Sequence, residues 1–116
     1  MKVLERYFDA MRACDWPALS DTLAEDVHRT GPFHDEVRGR DAYVEFLAGV
    51  IEKLPNYQLD VERIRAIAGG GAIVELAETI DRKGARFRTP EALLFEFDAD
   101  GRIARVDIYI KTSPPT

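Results

Sequence analysis

Leu4, Tyr7, Phe8, Met11 and Cys14 recur at three-to-four spacing, which predicts an amphipathic helix over Lys2–Ala13 with these side chains on its inner face. Asp15 can cap a second short helix, and Pro17 falls in that helix's first turn, where a missing N–H is harmless. Trp16, Leu19 and Leu23 then face inward. Val27–Thr30 reads as a short strand ended by Gly31-Pro32. Asp41 is the expected cap of a third helix that turns Tyr43, Phe46, Leu47, Val50 and Leu54 inward and stops at Pro55.

Beyond Pro55 the period changes from helical to two. Tyr57, Leu59 and Val61 alternate with Gln58, Asp60 and Glu62, and the apolar phase then slips to Ile64 and Ala66. Such a slip predicts a bulge near Glu62-Arg63, which would curve the sheet. Gly69-Gly70-Gly71 is a turn. Ala72–Asp81 and Ala85–Phe97 form a hairpin around Arg82-Lys83-Gly84, Asp98–Gly101 is a second turn, Ile103–Lys111 is the last strand, and Ser113-Pro114-Pro115 ends the fold. Helices followed by a run of strands predict α+β: a curved antiparallel sheet wrapped around helices to form a cone with one internal pocket. On the outer face of the sheet Ile73, Ala77, Leu94 and Tyr109 are interspersed with Glu75, Glu96 and Asp107, a half-apolar surface suited to a homodimer. A plain wet face with scattered apolar residues is the other reading.

Composition narrows the classes. At 116 residues, residues 1–116 read as a single domain able to bury one core, and 46% hydrophobic with 32% charged residues is ordinary for a globular protein. A net charge of −5 disfavours a nucleic-acid partner. No apolar run approaches membrane-spanning length, so no membrane partner is expected. The amphipathic N-terminus, which carries acids, is unlike a signal peptide, so a cytoplasmic location is expected. Cys14 is the sole cysteine, and His28 and His34 have no cysteine near them, so neither a disulfide nor a metal site is expected.

Several joints in this order carry a family likeness. They are Tyr7-Phe8, Asp15-Trp16, Leu23-Ala24-Glu25-Asp26-Val27, Gly31-Pro32-Phe33, Arg38-Gly39-Arg40-Asp41 and Phe97-Asp98-Ala99-Asp100-Gly101-Arg102-Ile103. Together they resemble the nuclear-transport-factor-like superfamily (the cystatin-like cone), and within it the SnoaL-like polyketide cyclases and ketosteroid isomerases. The resemblance covers nearly the whole chain and implies the same cone. Ketosteroid isomerases use an Asp base after the first strand, a helix-one Tyr and a protonated Asp in the sheet. Carried onto this chain, the Tyr falls on Tyr7, the base on Gly31 and the sheet acid on Leu93, so two of those three groups are missing.

The same likeness fixes strand phase. Val74, Leu76, Glu78 and Ile80 would point inward, with Phe87, Thr89, Glu91, Leu93 and Phe95 opposite them and Val106, Ile108 and Ile110 on the last strand. Either two-residue turn within Arg82-Lys83-Gly84 puts Glu78 and Glu91 on one face, about a diagonal apart, whereas a three-residue turn separates them. Arg29 would point in as well, and His28 out. The candidate catalytic set is therefore Tyr7, Glu78, Glu91 and Arg29, an acid–arginine–acid cluster similar in type to that of limonene epoxide hydrolase. Its competitor is a structural salt bridge between Arg29 and one glutamate.

Trp16, Phe33, Phe46, Leu47, Thr89, Leu93, Phe95 and Ile108 are the candidate substrate-contacting residues. Tyr7 and Trp16 read equally as core anchors. His34 sits near the expected mouth, and Asp35 could replace the missing base if its loop folds inward. Arg38 and Arg40 are expected to pair with Asp41 or Glu45, and Asp107 to lie outside. The resemblance implies a small hydrophobic ligand and, with no cofactor, isomerase, cyclase, dehydratase or epoxide-hydrolase chemistry. The alternatives are a non-catalytic binding module, or a dimerisation domain whose cavity is filled by Phe46, Phe87, Phe95 and Trp16.

Overall fold

The computed structural model describes residues 1–112, so Ser113-Pro114-Pro115 lie outside the described residues. Three helices precede or interrupt the strands: α1 (Lys2–Ala13), α2 (Trp16–Asp21) and α3 (Arg40–Ile51). The strands are β1 (Leu23–Thr30), β2 (Glu36–Arg38), β3 (Gln58–Ala66), β4 (Ala72–Arg82), β5 (Ala85–Phe97) and β6 (Ile103–Ile110). They form one curved, unclosed sheet in the order β2-β1-β6-β5-β4-β3.

On α1, Leu4, Tyr7, Phe8, Ala10 and Met11 are buried, as the periodicity requires. Cys14 departs from the expectation. It ends the helix in the left-handed region (φ 53°), donating its N–H to the carbonyls of Ala10 and Met11, and that twist takes its side chain off the inner face into solvent. Asp15 caps α2, accepting from the Ala18 N–H at 3.2 Å. Asp41 does not cap α3. The N-cap is Gly39, with no side-chain cap, and Asp41 lies in the first turn, where an acid still favours the helix dipole.

The sheet is not wholly antiparallel. β1 runs parallel to β6, joining the first long strand to the last. β1 also begins at Leu23, ahead of the expected Val27, because Leu23 pairs with Ile103 across an irregularity that leaves Glu25 and Asp26 exposed. Those two acids break the period-two pattern and conceal the strand. β2 was not legible at all: its three residues are mostly exposed and are defined only by pairing with β1 (Arg29 opposite Val37).

Two local features set the phase of the remaining wall. In β3 the pairing steps from Val61–Leu76 to Arg63–Glu75, so Glu62 is the extra residue of a bulge, and Leu59 and Ile64 both face the core. Between β4 and β5 the turn is Lys83-Gly84, with φ of 49° and 79° and Arg82 paired to Ala85. Two positive φ values mark the two-residue hairpin turn whose twist matches the strands. It sets Glu78 opposite Thr89 and Leu76 opposite Glu91. The tip of this hairpin projects past the helices. Phe87, expected inside, is 42% exposed there, with the Arg82 guanidinium stacked 4.9 Å above its ring.

The convex face is laced with ion pairs: Arg63 with Glu75 at 2.6 Å, Arg105 with Asp107 at 3.0 Å, and Arg88 with Glu62. Ala77 is fully buried beneath them, and Tyr109 is 59% exposed. Among the described residues no helix is long and apolar enough to cross a membrane.

Deleting Glu62 removes the bulge and forces one half of β3 to turn its apolar set outward. Urea unfolding should then show a loss of at least the ~1.5–3 kcal/mol carried by one buried aliphatic side chain such as Leu59. A deletion variant as stable as the parent would contradict this account of the curve.

Candidate functional site

Between the inner face of the sheet and the helices lies a cavity of about 270 Å³. Its walls are mainly aliphatic and aromatic, including Phe46, Leu47, Leu93 and Ile108 from the expected contacts. Six polar side chains reach it: Tyr7 from α1, Tyr43 from α3, Arg29 from β1, Glu78 from β4, and Thr89 and Glu91 from β5. Strand phase brings Arg29, Glu78 and Glu91, and α1 brings Tyr7, so all four candidate catalytic residues border one space.

Three expected contacts are elsewhere. Trp16 packs half-buried on the core and donates its indole N–H to Glu52 at 3.0 Å, so it joins α2 to the end of α3. Phe95 is buried in the core against Tyr7 and Phe8, with ring centroids 5.7 and 6.0 Å away. Phe33 is 74% exposed on the loop after β1 and faces a separate surface hollow shared with β6. Of the four side chains that could have plugged the cavity, only Phe46 borders it, and the space remains open.

The carboxyl pair dominates the electrostatics. Glu78 and Glu91 sit on the same face of adjacent strands, one diagonal apart. Burial above all, then hydrogen bonding to Glu78 and that residue's charge, hold the Glu91 carboxyl well above the usual carboxylate range, and Arg29 only partly offsets this. Burial thus favours the protonated form of the Glu91 carboxyl. Glu78 accepts the hydroxyl of Tyr57 at 2.5 Å. Burial first, then the Glu78 charge, keep that tyrosine protonated far into alkali, so it acts as a donor.

Deeper in, the Tyr7 and Tyr43 hydroxyls are 2.6 Å apart and fully buried. Burial pushes Tyr43 up to about 12 and raises Tyr7 well above the usual tyrosine range, so both stay protonated. One hydrogen bond joins two hydroxyls. Whichever donates, the other retains a proton with no partner among the described residues. Tyr43 was read from the sequence only as an inward helix residue; its part in the site follows from packing against Tyr7, which spacing along the chain does not reveal.

Arg29 does not pair with either glutamate. Its side chain is 8% exposed, stacks 4.5 Å over the Phe46 ring, and donates from Nη1 to Asp35 at 3.0 Å. Its Nε is buried without a partner. The Asp35 carboxyl is held below the usual range, chiefly by that bond. His28 points away from the cavity and lies 2.8 Å from Glu36. His34 adopts φ 65° on the loop and borders the outer hollow with Phe33. Arg38 pairs with Glu36 at 3.4 Å rather than with Asp41 or Glu45, because β2 places those side chains together. Arg40 makes no ion pair among the described residues, and Asp107 pairs with Arg105 on the outer side. No cluster of His, Cys, Asp or Glu among the described residues has metal-binding geometry.

The SnoaL-like domain family matches residues 4–106 of the chain. A candidate ketosteroid isomerase from Kribbella flavida DSM 17836 is 27% identical, with a TM-score of 0.79 over 99% of this chain and 81% of that one. SalBIII, an epoxide hydrolase/cyclase-like enzyme with a role in pyran ring formation in the polyether salinomycin, superposes with a TM-score of 0.81 at 17% identity over 96% of this chain and 89% of that one. An NTF2-like protein of unknown function from Cytophaga hutchinsonii ATCC 33406 superposes with a TM-score of 0.76 at 15% identity over 94% and 87%. The last two likenesses describe the fold. No curated protein shows significant sequence similarity to the chain.

The Glu91 proton has a consequence for stability. Its folded-state value lies above that of the unfolded chain, so its stabilisation is complete below the ordinary glutamate value of 4.5 and is lost as pH rises toward the folded value. Denaturation of the parent between about pH 5 and 9 should therefore show stability falling more steeply than in Glu91→Gln, by up to ~1.4 kcal/mol per pH unit. Identical slopes would mean that Glu91 is ionised in the native protein.

Proposed function

The chain belongs to the SnoaL-like domain family, and on that premise we propose that it binds a compact, largely apolar molecule bearing an oxygen acceptor and acts on it by cofactor-independent acid–base chemistry. The observation that carries this reading is the Glu78–Glu91 pair in a mainly apolar cavity, with one carboxyl neutral. A pair whose surroundings separate the two protonation states supplies an acid and a base at the same pH.

Glu78 is the base and Glu91 the acid. Glu78 takes a proton from a substrate carbon, or from a water that adds to the substrate. Glu91 gives its proton to the carbon that completes the shift, or to the oxygen released when a C–O bond breaks. The two carboxyls then hold the proton in exchanged places, and transfer between them restores the starting state. Tyr57 steadies the Glu78 carboxylate from outside the cavity lining. The spare hydroxyl proton of the Tyr7–Tyr43 pair and the unbonded nitrogens of Arg29 are donors for a developing oxyanion. A cavity of about 270 Å³ is at the small end for ligand sites and favours a compact ring or short chain over an extended polycycle.

A non-catalytic binding module is the second reading. Gly31 and Leu93 favour it, since they stand where the resemblance to ketosteroid isomerases expects a base and a sheet acid. The two readings separate on turnover. Thermal-shift screening of cyclic ketones, terpene epoxides and small aromatic polyketides should find a stabilising ligand under either. Turnover of that ligand should then fall by about 10²–10⁴ in Glu78→Gln, with binding retained. Binding without turnover supports the module, and no stabilising ligand sinks both.

The outer sheet face is read as the meeting surface of two copies, since its ion pairs neutralise most of its charge around Tyr109, Leu94 and Ile73. Sedimentation velocity should give a dimer for the parent and a monomer for Tyr109→Glu. A parent that stays monomeric at high concentration rules this surface out.

A further inference from the structure

Gly31 follows β1 directly, two residues after Arg29, and borders the outer hollow with Phe33 and His34. A Cβ built on Gly31 would lie 2.3 Å from both carboxylate oxygens of Asp35. A side chain at residue 31 would therefore displace the Asp35 carboxylate from its present place. The φ of Gly31 is not in the left-handed region, so an alanine would meet no backbone objection. The loop that brings Asp35 back is closed by the Gly31 N–H donating to the Asp35 carbonyl at 2.7 Å, and the Phe33 N–H donates to the Asp35 carboxylate at 3.3 Å. The carboxylate of residue 35 thus occupies the place of a residue-31 side chain, and from there it binds Arg29 at 3.0 Å.

We propose that Asp35 is a positioning residue that holds and neutralises Arg29 at the cavity wall, apart from the Glu78–Glu91 pair, and that Gly31 is glycine to admit it. Arg29 is almost fully buried and borders the same cavity as the two glutamates. A buried guanidinium keeps its charge and needs a counter-ion. The ionisable groups acting with it are Tyr7 on α1, Tyr43 on α3, Glu91 on β5 and Asp35 on the loop. Both tyrosines are neutral, so once Asp35 is removed Glu91 is the group on which the arginine acts most, and its proton is then held less tightly. Glu91 is also faced by Glu78 on β4 and by Tyr57 ahead of β3, neither of which can neutralise the arginine from the loop side.

The inference rests on the reading of Glu91 as the proton donor, and its test is independent of turnover. Carboxyl carbon NMR of the ligand-free protein, labelled at glutamate, follows the Glu91 titration directly. Asp35→Asn should lower the Glu91 midpoint by about one pH unit or more, through the unneutralised charge of Arg29. Gly31→Ala, which displaces the carboxylate without removing it, should lower it in the same direction. The double variant Gly31→Asp with Asp35→Gly returns a carboxylate to the same place from the other residue, and should recover most of the shift. In any of these backgrounds Arg29→Met should abolish the dependence on residue 35. If Glu91 titrates high in the parent and its midpoint is unmoved in Asp35→Asn and Gly31→Ala, the positioning role is overturned and the acid–base pair survives. If Glu91 titrates as an ordinary glutamate in the parent, the acid–base reading itself falls. A double variant that fails to recover the shift overturns the claim that residues 31 and 35 compete for one place.

Discussion

Two carboxyls facing one apolar space on neighbouring strands cannot both be ionised without a counter-ion between them. Here burial above all, and then the Glu78 partner, raise the Glu91 carboxyl, while Arg29, which donates to Asp35 at 3.0 Å, offsets this only in part. The other polar features of the cavity are arranged around that fact. Tyr57 satisfies Glu78 from one side. The Tyr7–Tyr43 pair offers a neutral hydroxyl where a charged group would compete for the proton.

The sheet supplies this geometry through two small irregularities and one long connection. The Glu62 bulge bends β3 while keeping both of its halves apolar-inward. The Lys83-Gly84 turn fixes the parity that puts Glu78 and Glu91 together; one more residue in that turn would have sent one of them to the convex side. The parallel pairing of β1 with β6 brings Arg29 beside Val106 and so onto the same wall as Glu91. The position after β1 is a glycine, and the carboxylate found there belongs to a residue four places later.

Much of the frame was legible because the signals were periodic and redundant. The α1 stripe, the Asp15 cap, the phase slip in β3 and the positive-φ residues Lys83-Gly84 each have a local physical cause that leaves a mark in the sequence. The misreadings share the opposite property. β1 begins early because Leu23 finds Ile103, about eighty residues away, while the intervening Glu25 and Asp26 look like a loop. β2 exists only because β1 is beside it. Phe95 and Trp16 are aromatic and inward by pattern, but they pack against Phe8 and the end of α3, and nothing along the strand or helix distinguishes a wall residue from one behind it.

The amino-acid order alone determined most element types and the inner stripe of α1, and it limited Glu78 and Glu91 to one face for a two-residue turn, because periodicity and turn chemistry act over a few residues and need no partner. Which charges neutralise one another was decided only by the tertiary structure. Arg29 takes Asp35 in place of a glutamate, and Tyr7 takes Tyr43, because those contacts depend on where a five-residue loop and two helices come to rest against the sheet. An interaction between side chains has a range of a few ångströms in space and no fixed length along the chain, so it is written in the fold and not in the spacing.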